Sequence, residues 1–332
     1  MSLPLPLSVL DLASVGKGET IKEGLEASVS LAQRAEGWGF RRIWYAEHHN
    51  MRSIASSATS VLIGHVAANT ERITLGAGGV MLPNHSPLQV AEQFGTLATL
   101  HPGRIELGLG RAPGTDQQTF AALRRDPRAS DRFPQDVQEL QGFLSEESLV
   151  PGVEAFPGQG TEVPLSILGS SLYGAQVAAV LGLPYVFASH FAPDALEQAV
   201  AVYRREFRPS AQLGAPHVMA GVNVVAADSA DEAARRLRAV QRTRVKQFLR
   251  AGERTLTDDE ADAVLDMPAG EQVRSMTRFT AAGTPDVVTR YLEDFAARAD
   301  ADELIVMCPV VDRAGWFRSF ELLAEQTGLA AA

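Results

Sequence analysis

Residues 20–45 read TIKEGLEASVSLAQRAEGWGFRRIWY, an amphipathic segment followed at once by a short apolar run. Thr20-Ile21-Lys22-Glu23 has the spacing of a capping box, in which the Thr20 hydroxyl accepts from the Glu23 backbone N–H and the Glu23 side chain reaches back. Behind it Ile21, Leu25, Val29, Ala32, Ala35 and Trp38 recur at steps of three or four, so one helical face is apolar. Gly37 and Gly39 then stop the helix, and Arg42-Ile43-Trp44-Tyr45 has the aromatic and β-branched content of a strand. Leu5 to Leu10 reads as a strand before the helix. One strand, one helix and one strand joined this tightly make a parallel pair with a helical crossover.

The unit repeats along the chain. Ile73–Gly76 is a strand, and Ser86-Pro87-Leu88-Gln89 has capping-box spacing with proline at the first helical position. Arg104–Gly110 alternates Ile105, Leu107 and Leu109 with Glu106, Gly108 and Gly110, a strand with two unlike faces. Further strands are expected at Leu165–Leu168, Tyr185–Ala188, Val218–Ala226 and Glu303–Met307, with helices over 171–181, 193–207, 229–250, 285–298 and 313–326. Eight strands alternating with helices, without a glycine-rich dinucleotide turn near the start, predict a (β/α)8 TIM barrel with insertions rather than an open doubly wound sheet. Residues 1–332 read as one domain. Two connections are long, 112–163 and 251–283. The second carries Asp258-Asp259-Glu260 and reads equally as a mobile lid over the barrel or as a plain surface excursion.

Composition limits the partners. The chain has 332 residues with 30 Lys plus Arg against 40 Asp plus Glu, a net charge of −10, which argues against general nucleic-acid or anionic-membrane binding. Cys308 is the single cysteine, so no intrachain disulfide forms and a reducing cytoplasm is the expected location. No long uninterrupted apolar stretch predicts a membrane span.

In such a barrel chemistry collects at the carboxyl ends of the strands, and four segments there stand out. Glu47-His48-His49-Asn50 follows the second strand. Neighbouring residues of an extended segment point opposite ways, so one histidine at most is expected to face the mouth. His48 is taken as the proton-exchanging imidazole, with Glu47 either orienting it or favouring its charged form, and His49 as a hydrogen-bonded structural histidine. Gly76-Ala77-Gly78-Gly79 ends the third strand, where glycine lets a flat ligand approach the backbone, or simply turns the chain. Arg111, after Gly108-Leu109-Gly110, offers a planar fork for a phosphate or for a surface carboxylate. Gly169-Ser170-Ser171 opens a helix whose free N–H groups favour an anion, or whose serine is a plain N-cap; Gly174 in its first turn is compatible with close ligand approach. Ser189-His190-Phe191 ends the sixth strand without a defined role. No spacing of a metal site is present, which leaves a metal-dependent hydrolase built on Glu47, His48, His49 and His190 as a remote alternative.

The ordered set Trp44-Tyr45-Ala46-Glu47-His48-His49, Leu75 to Pro83, His85-Ser86-Pro87, Gln89 to Gln93, Pro102-Gly103-Arg104, Gly108 to Arg111 and Gly182-Leu183-Pro184 resembles the bacterial luciferase-like, flavin-dependent monooxygenase family. The resemblance runs from about residue 20 to 210 and implies an eight-stranded α/β barrel. It also implies reduced FMN, supplied by a separate NAD(P)H-dependent flavin reductase, with dioxygen oxygenating a small organic substrate. Deazaflavin F420 with hydride transfer is the alternative cofactor, and a non-catalytic flavin-binding protein the alternative function. By the same resemblance Gly78 and Gly79 back the flavin ring, with a cis peptide often found there in relatives. Arg111, Ser170 and Ser171 look like the phosphate contacts, His48 like the family's catalytic histidine, and a homodimer is expected; from the residues themselves, Gly110 and Gly174 are added to the cofactor-binding set and Glu47 to the catalytic one. Gly110 and Ser170 stand where luciferase's large subunit has a reactive cysteine and a glutamate, so light emission and a long-chain aldehyde are not implied.

Overall fold

The computed structural model describes residues 3–112, 114–248 and 256–329. The first repeat is built as its sequence predicts. Strand β1 (Leu7–Asp11) leads into helix α1 (Ile21–Trp38), whose N-terminus carries the complete Thr20–Glu23 capping box and whose end is closed by Gly39 in the left-handed conformation at φ 86°. Strand β2 (Arg42–Tyr45) pairs with β1 in parallel, Leu10 opposite Trp44.

The chain continues through α2 (Thr59–Ala67), β3 (Thr74–Met81), α3 (Pro87–Leu100) and β4 (Ile105–Gly110). Next come α4 (Gln117–Ala122), α5 (Phe133–Leu144), β5 (Leu165–Gly169), α6 (Leu172–Leu181), β6 (Tyr185–Phe187), α7 (Leu196–Glu206) and β7 (Val218–Ala226). The last part holds α8 (Ala230–Phe248), α9 (Asp258–Leu265), α10 (Glu271–Met276), β8 (Thr280–Gly283), α11 (Pro285–Ala299), β9 (Glu303–Met307) and α12 (Arg313–Thr327). Strands β1 to β7 and β9 are parallel neighbours, and β9 returns to β1, so eight strands close a barrel with helices outside. The fold is a (β/α)8 barrel. A ninth strand, β8, is not among the expected ones; it pairs only with the last four residues of β7, Asn223–Ala226, overlapping β9 at Asn223 and running beyond it.

Three other expectations are corrected. The third strand runs on to Met81. Ser86 stands at the N-cap of α3 but makes no side-chain capping bond, so that second box is not formed. The long connection over 112–163 contains α4 and α5, and the described part of 251–283 contains α9, α10 and β8; residues 251–255 of the expected lid lie outside the described residues.

Strand alternation sorts the side chains into two cores. Leu7, Val9, Ile43, Tyr45, Leu75 and Leu107 point outward and join the large core under the helices. Leu10, Trp44, Val186, Met219 and Ile305 point inward and form a separate cluster inside the barrel. Below that layer, toward the amino ends of the strands, the filling is polar. Arg42 bonds Glu106 at 2.5 Å and Glu303 at 3.1 Å, and Ser8 donates to Glu303 at 2.5 Å. A buried guanidinium is tolerated there because two carboxylates meet it.

Trp44 explains much of the glycine pattern. A Cβ on Gly76 would stand 2.6 Å from the Trp44 indole nitrogen, and one on Gly78 or Gly108 about 3.0 to 3.1 Å from its ring carbons. The indole N–H donates to Glu106 at 3.2 Å, which fixes the ring in place. These glycines therefore make room for one large side chain; the ligand-approach reading of Gly76 gives way to packing.

Candidate active site

The mouth of the barrel is defined by the residues that leave β2 to β7 at their carboxyl ends. On β3 the Gly78–Gly79 peptide is cis, and the register with β4 shifts between Gly78 and Val80. A Cβ on Gly79 would meet the Gly108 carbonyl oxygen at 2.6 Å, so only glycine lets the two strand backbones lie this close. A Cβ on Gly110 would strike the Met81 sulfur at 2.8 Å. The wall made by β3 and β4 is consequently bare backbone at this level.

Strands β4 and β5 pair with Gly110 opposite Leu168, which sends Arg111 and Gly169-Ser170-Ser171 out side by side. The Arg111 guanidinium lies 4.2 Å above the ring of Tyr173, in the first turn of α6. Among the described residues Arg111 forms no ion pair, so the surface-carboxylate alternative is not what the structure displays. Ser171 sits at the N-cap of α6 with extended backbone and no side-chain capping bond. Its carbonyl accepts from the Tyr185 hydroxyl at 3.0 Å, which anchors the helix start while both serine hydroxyls stay unengaged among the described residues. A Cβ on Gly174 would meet nothing closer than 3.5 Å, so packing does not demand glycine there.

Across the mouth, Glu47 is buried at 1% exposure and gathers donors. His49 Nε2 and His85 Nε2 each lie 2.9 Å from its Oε1, and the Met81 N–H donates to Oε2 at 3.1 Å. Burial alone would raise its pKa, but the bonds from His49 and His85 overcome that and hold it at about 2. Glu47 is therefore a fixed anion. His49, bonded to it, is pushed above the ordinary imidazole value. Glu47 makes no hydrogen bond to His48 among the described residues: its carboxylate binds His49 and His85, the second of these 38 residues along the chain, and acts on His48 through its charge, which favours the protonated imidazole.

His48 is half-buried, and burial drives its pKa down against the opposing pulls of the Gly114 backbone and the Glu47 charge. At neutral pH it is an uncharged base. His190 at the end of β6 is buried and lowered to about 3 by burial, then by the charges of Arg244 and His48. Its Nδ1 has no hydrogen-bond partner among the described residues and presses toward Gly221, where a Cβ would come within 2.4 Å. Sequence reasoning missed His85, Tyr173 and Arg244, because each earns its place only through contacts between distant strands.

Against this geometry, the family model described as luciferase-like monooxygenase matches residues 6–302. The chain belongs to the luciferase-like monooxygenase family. A luciferase-like monooxygenase of Escherichia coli (strain K12) is 47% identical over 325 residues, covering 96% of each chain. The N-acetyl-S-alkylcysteine monooxygenase of Bacillus subtilis (strain 168) is 33% identical over 337 residues, covering 96% of this chain and 97% of that one. The crystal structure of apo-MsnO8 superposes with a TM-score of 0.88 at 36% identity, covering 98% of both chains. Membership in the luciferase-like monooxygenase family supports an oxidoreductase. Among the described residues of this member no three His, Cys, Asp or Glu side chains are grouped as metal ligands, and no helix is long and apolar enough to cross a membrane.

Proposed function

We propose that the protein is a monooxygenase that binds reduced FMN in the barrel mouth and oxygenates a small organic substrate with dioxygen, the reduced flavin coming from a separate NAD(P)H-dependent reductase. The observation that carries this reading is the meeting of an unpaired guanidinium, two unengaged serine hydroxyls and an uncapped helix start beside bare strand backbone. A phosphate fits that donor set: Arg111 supplies a planar fork, Ser170 and Ser171 supply hydroxyls, and the first turn of α6 supplies free N–H groups. Gly110 and Gly174 keep side chains out of the way, and Gly78 and Gly79 offer a flat surface to a ring.

Bound reduced flavin supplies the two electrons by which one oxygen atom enters the substrate and the other leaves as water. The chain's own groups hold and move protons around that event. His48, uncharged at neutral pH, is the group able to take and return a proton at the mouth. Glu47 stays ionised and acts as a positioning residue that fixes His49, His85 and the Met81 backbone. The buried Trp44 layer closes the barrel beneath and keeps water from entering through the floor.

The test is titration of the protein with FMN, oxidised and anaerobically reduced, followed by oxygen-uptake assays with candidate substrates. Arg111→Ala should weaken FMN binding by roughly tenfold to a hundredfold, the loss of one charged hydrogen-bonding group. Binding of F420 in place of FMN, or FMN affinity indifferent to Arg111, would overturn the reading.

A further inference from the structure

Helix α8 is placed where it can complete the mouth. It leaves the end of β7, and Arg236 on it reaches back to the Ala226 carbonyl at 3.4 Å. Arg236 and Ala239 line a cleft of about 490 Å³ with Glu19 of the β1–α1 connection and Arg313 after β9, so the first half of α8 lies along the rim. Its second half is fastened from outside by Val245, which packs with Ala261 and Leu265 of α9 and Val273 of α10.

Five half-buried cations stand on this helix, and four have acidic partners. Arg236 pairs with Glu232 at 2.7 Å, Arg238 with Asp262 at 2.7 Å, Arg242 with Asp262, and Lys246 with Asp258 at 2.5 Å. Arg244 has neither an ion pair nor a hydrogen bond among the described residues, and burial alone perturbs it. It lies one turn beyond the buried Val240 and two beyond Arg236, on the stripe that faces the barrel. Its charge acts on His190, as does that of His48, which puts Arg244 on the His190 side of α8. The unpartnered, buried Nδ1 of His190 marks that side as short of polar partners from the protein itself. In the strand order β7 stands four strands from β3, directly across the mouth from the glycine wall. A guanidinium cannot shed its charge, and one left half-buried without a counter-ion is unfavourable until an anion arrives.

We propose that Arg244 anchors a carboxylate on the substrate, holding it across the mouth from the bare β3–β4 backbone, so that the natural substrate is an organic acid. This rests on the barrel mouth being the active site. Arg111 and Arg244 then serve different anions, one on the α6 side and one under α8, with the imidazoles of His48 and His190 uncharged between them.

The test uses the full-length protein with hexanoate, benzoate and phenylacetate as probes, each against its primary amide, with hexanesulfonate and inorganic phosphate as further arms. Binding is measured by calorimetry for the wild type, Arg244→Met and Arg244→Lys, and the FMN dissociation constant is measured for all three. At least one acid should bind at least tenfold tighter than its amide. Arg244→Met should lose that preference and Arg244→Lys should keep part of it, while FMN affinity stays within about twofold. The unfolding midpoint of Arg244→Met should be equal or higher, because the arginine has no native partner to lose. The proposal is overturned if no acid outbinds its amide, if Arg244→Met keeps the preference, if Arg244→Met loosens FMN instead, or if the sulfonate or phosphate binds tighter than every acid and loses that binding in Arg244→Met. Failure of the wild type to bind FMN, with an Arg244-dependent acid preference intact, would remove the cofactor reading and leave the anion site standing.

Discussion

Replacing Glu47 by glutamine tests the electrostatics of the site at its most buried point. The side chain keeps its shape and loses its charge, so the change isolates what the carboxylate does for His49, His85 and the Met81 N–H. The drop in pKa from 4.5 to about 2 corresponds to about 3 kcal/mol of preference for the ionised form, at about 1.4 kcal/mol per pKa unit. That agrees with the lower end of the cost of removing one member of a buried ion pair, about 3 kcal/mol. The sign follows from the direction of the shift. A carboxylate depressed in the folded state stabilises it fully above the unfolded value near 4.5, and that stabilisation disappears as pH falls toward 2. His49, raised above 6.5, contributes in the opposite sense, with its share complete below that value and lost as pH rises through its raised pKa. Urea unfolding at pH 6 should therefore show Glu47→Gln less stable by about 3 kcal/mol at an unchanged m-value, and the gap should be more than half closed at about pH 3. A variant within about 0.5 kcal/mol of wild type at pH 6, or a gap that does not change with pH, would refute the account of Glu47 as a fixed anion.

Two further substitutions separate binding from chemistry. His48→Ala should leave FMN affinity within a few-fold and slow substrate oxygenation by roughly 10²–10⁴-fold, and the acidic limb of kcat/KM, expected below 6.5 in the wild type, should vanish with it; turnover at the wild-type rate would end the proton-transfer role. Gly174→Ala should leave the unfolding midpoint unchanged or higher, since the added methyl meets only ordinary contacts from 3.5 Å outward and alanine favours a helix, yet it should weaken FMN binding if the first turn of α6 closes on the phosphate; unaltered FMN affinity would remove Gly174 from the cofactor site.

The barrel was readable because a parallel strand covered on both faces is a near-continuous apolar run, and Ile43-Trp44-Tyr45 and Leu165-Ser166-Ile167-Leu168 carry that mark locally. Strand β8 lacks it. Thr280-Ala281-Ala282-Gly283 has little β-propensity, and it is a strand because β7 outruns β9 and leaves Val224–Ala226 without a β9 partner. Helix α2 is hard to read because the exposed Val61 is as apolar as the buried Leu62, Ile63, Val66 and Ala67, which weakens the contrast between its two faces. In the site, the expectation of a hydrogen-bonded His49 agrees with its bond to Glu47, but the sequence cannot reveal that the Glu47 carboxylate also turns to His85, which depends on how the segments after β2 and β3 meet. The glycines mislead for a different reason. One residue type answers two demands, and Gly76 serves the Trp44 ring while Gly79 serves the approach of β3 to β4.

Arg244 shows the limit of local reading most clearly. Arg238, Arg242 and Arg244 lie within seven residues of one basic helix, and by sequence any of them is an ordinary solvated cation. Their difference arises from a second element: α9 presents Asp258 and Asp262 to one side of α8 and neutralises the cations there, while Arg244 looks the other way. The outcome is a distribution of charge that matters for the proposed chemistry. In a chain of net charge −10, the guanidiniums of Arg111 and Arg244 have no ion-pair partner among the described residues, and the Glu47 carboxylate is already bonded to two histidines. Anions are drawn to such an opening by a field that salt screens over about 8–10 Å, so association with FMN and with an acidic substrate should both slow as ionic strength rises. Between the two cationic ends the imidazoles of His48 and His190 are held uncharged by burial, and an uncharged imidazole is the form able to receive a proton during turnover.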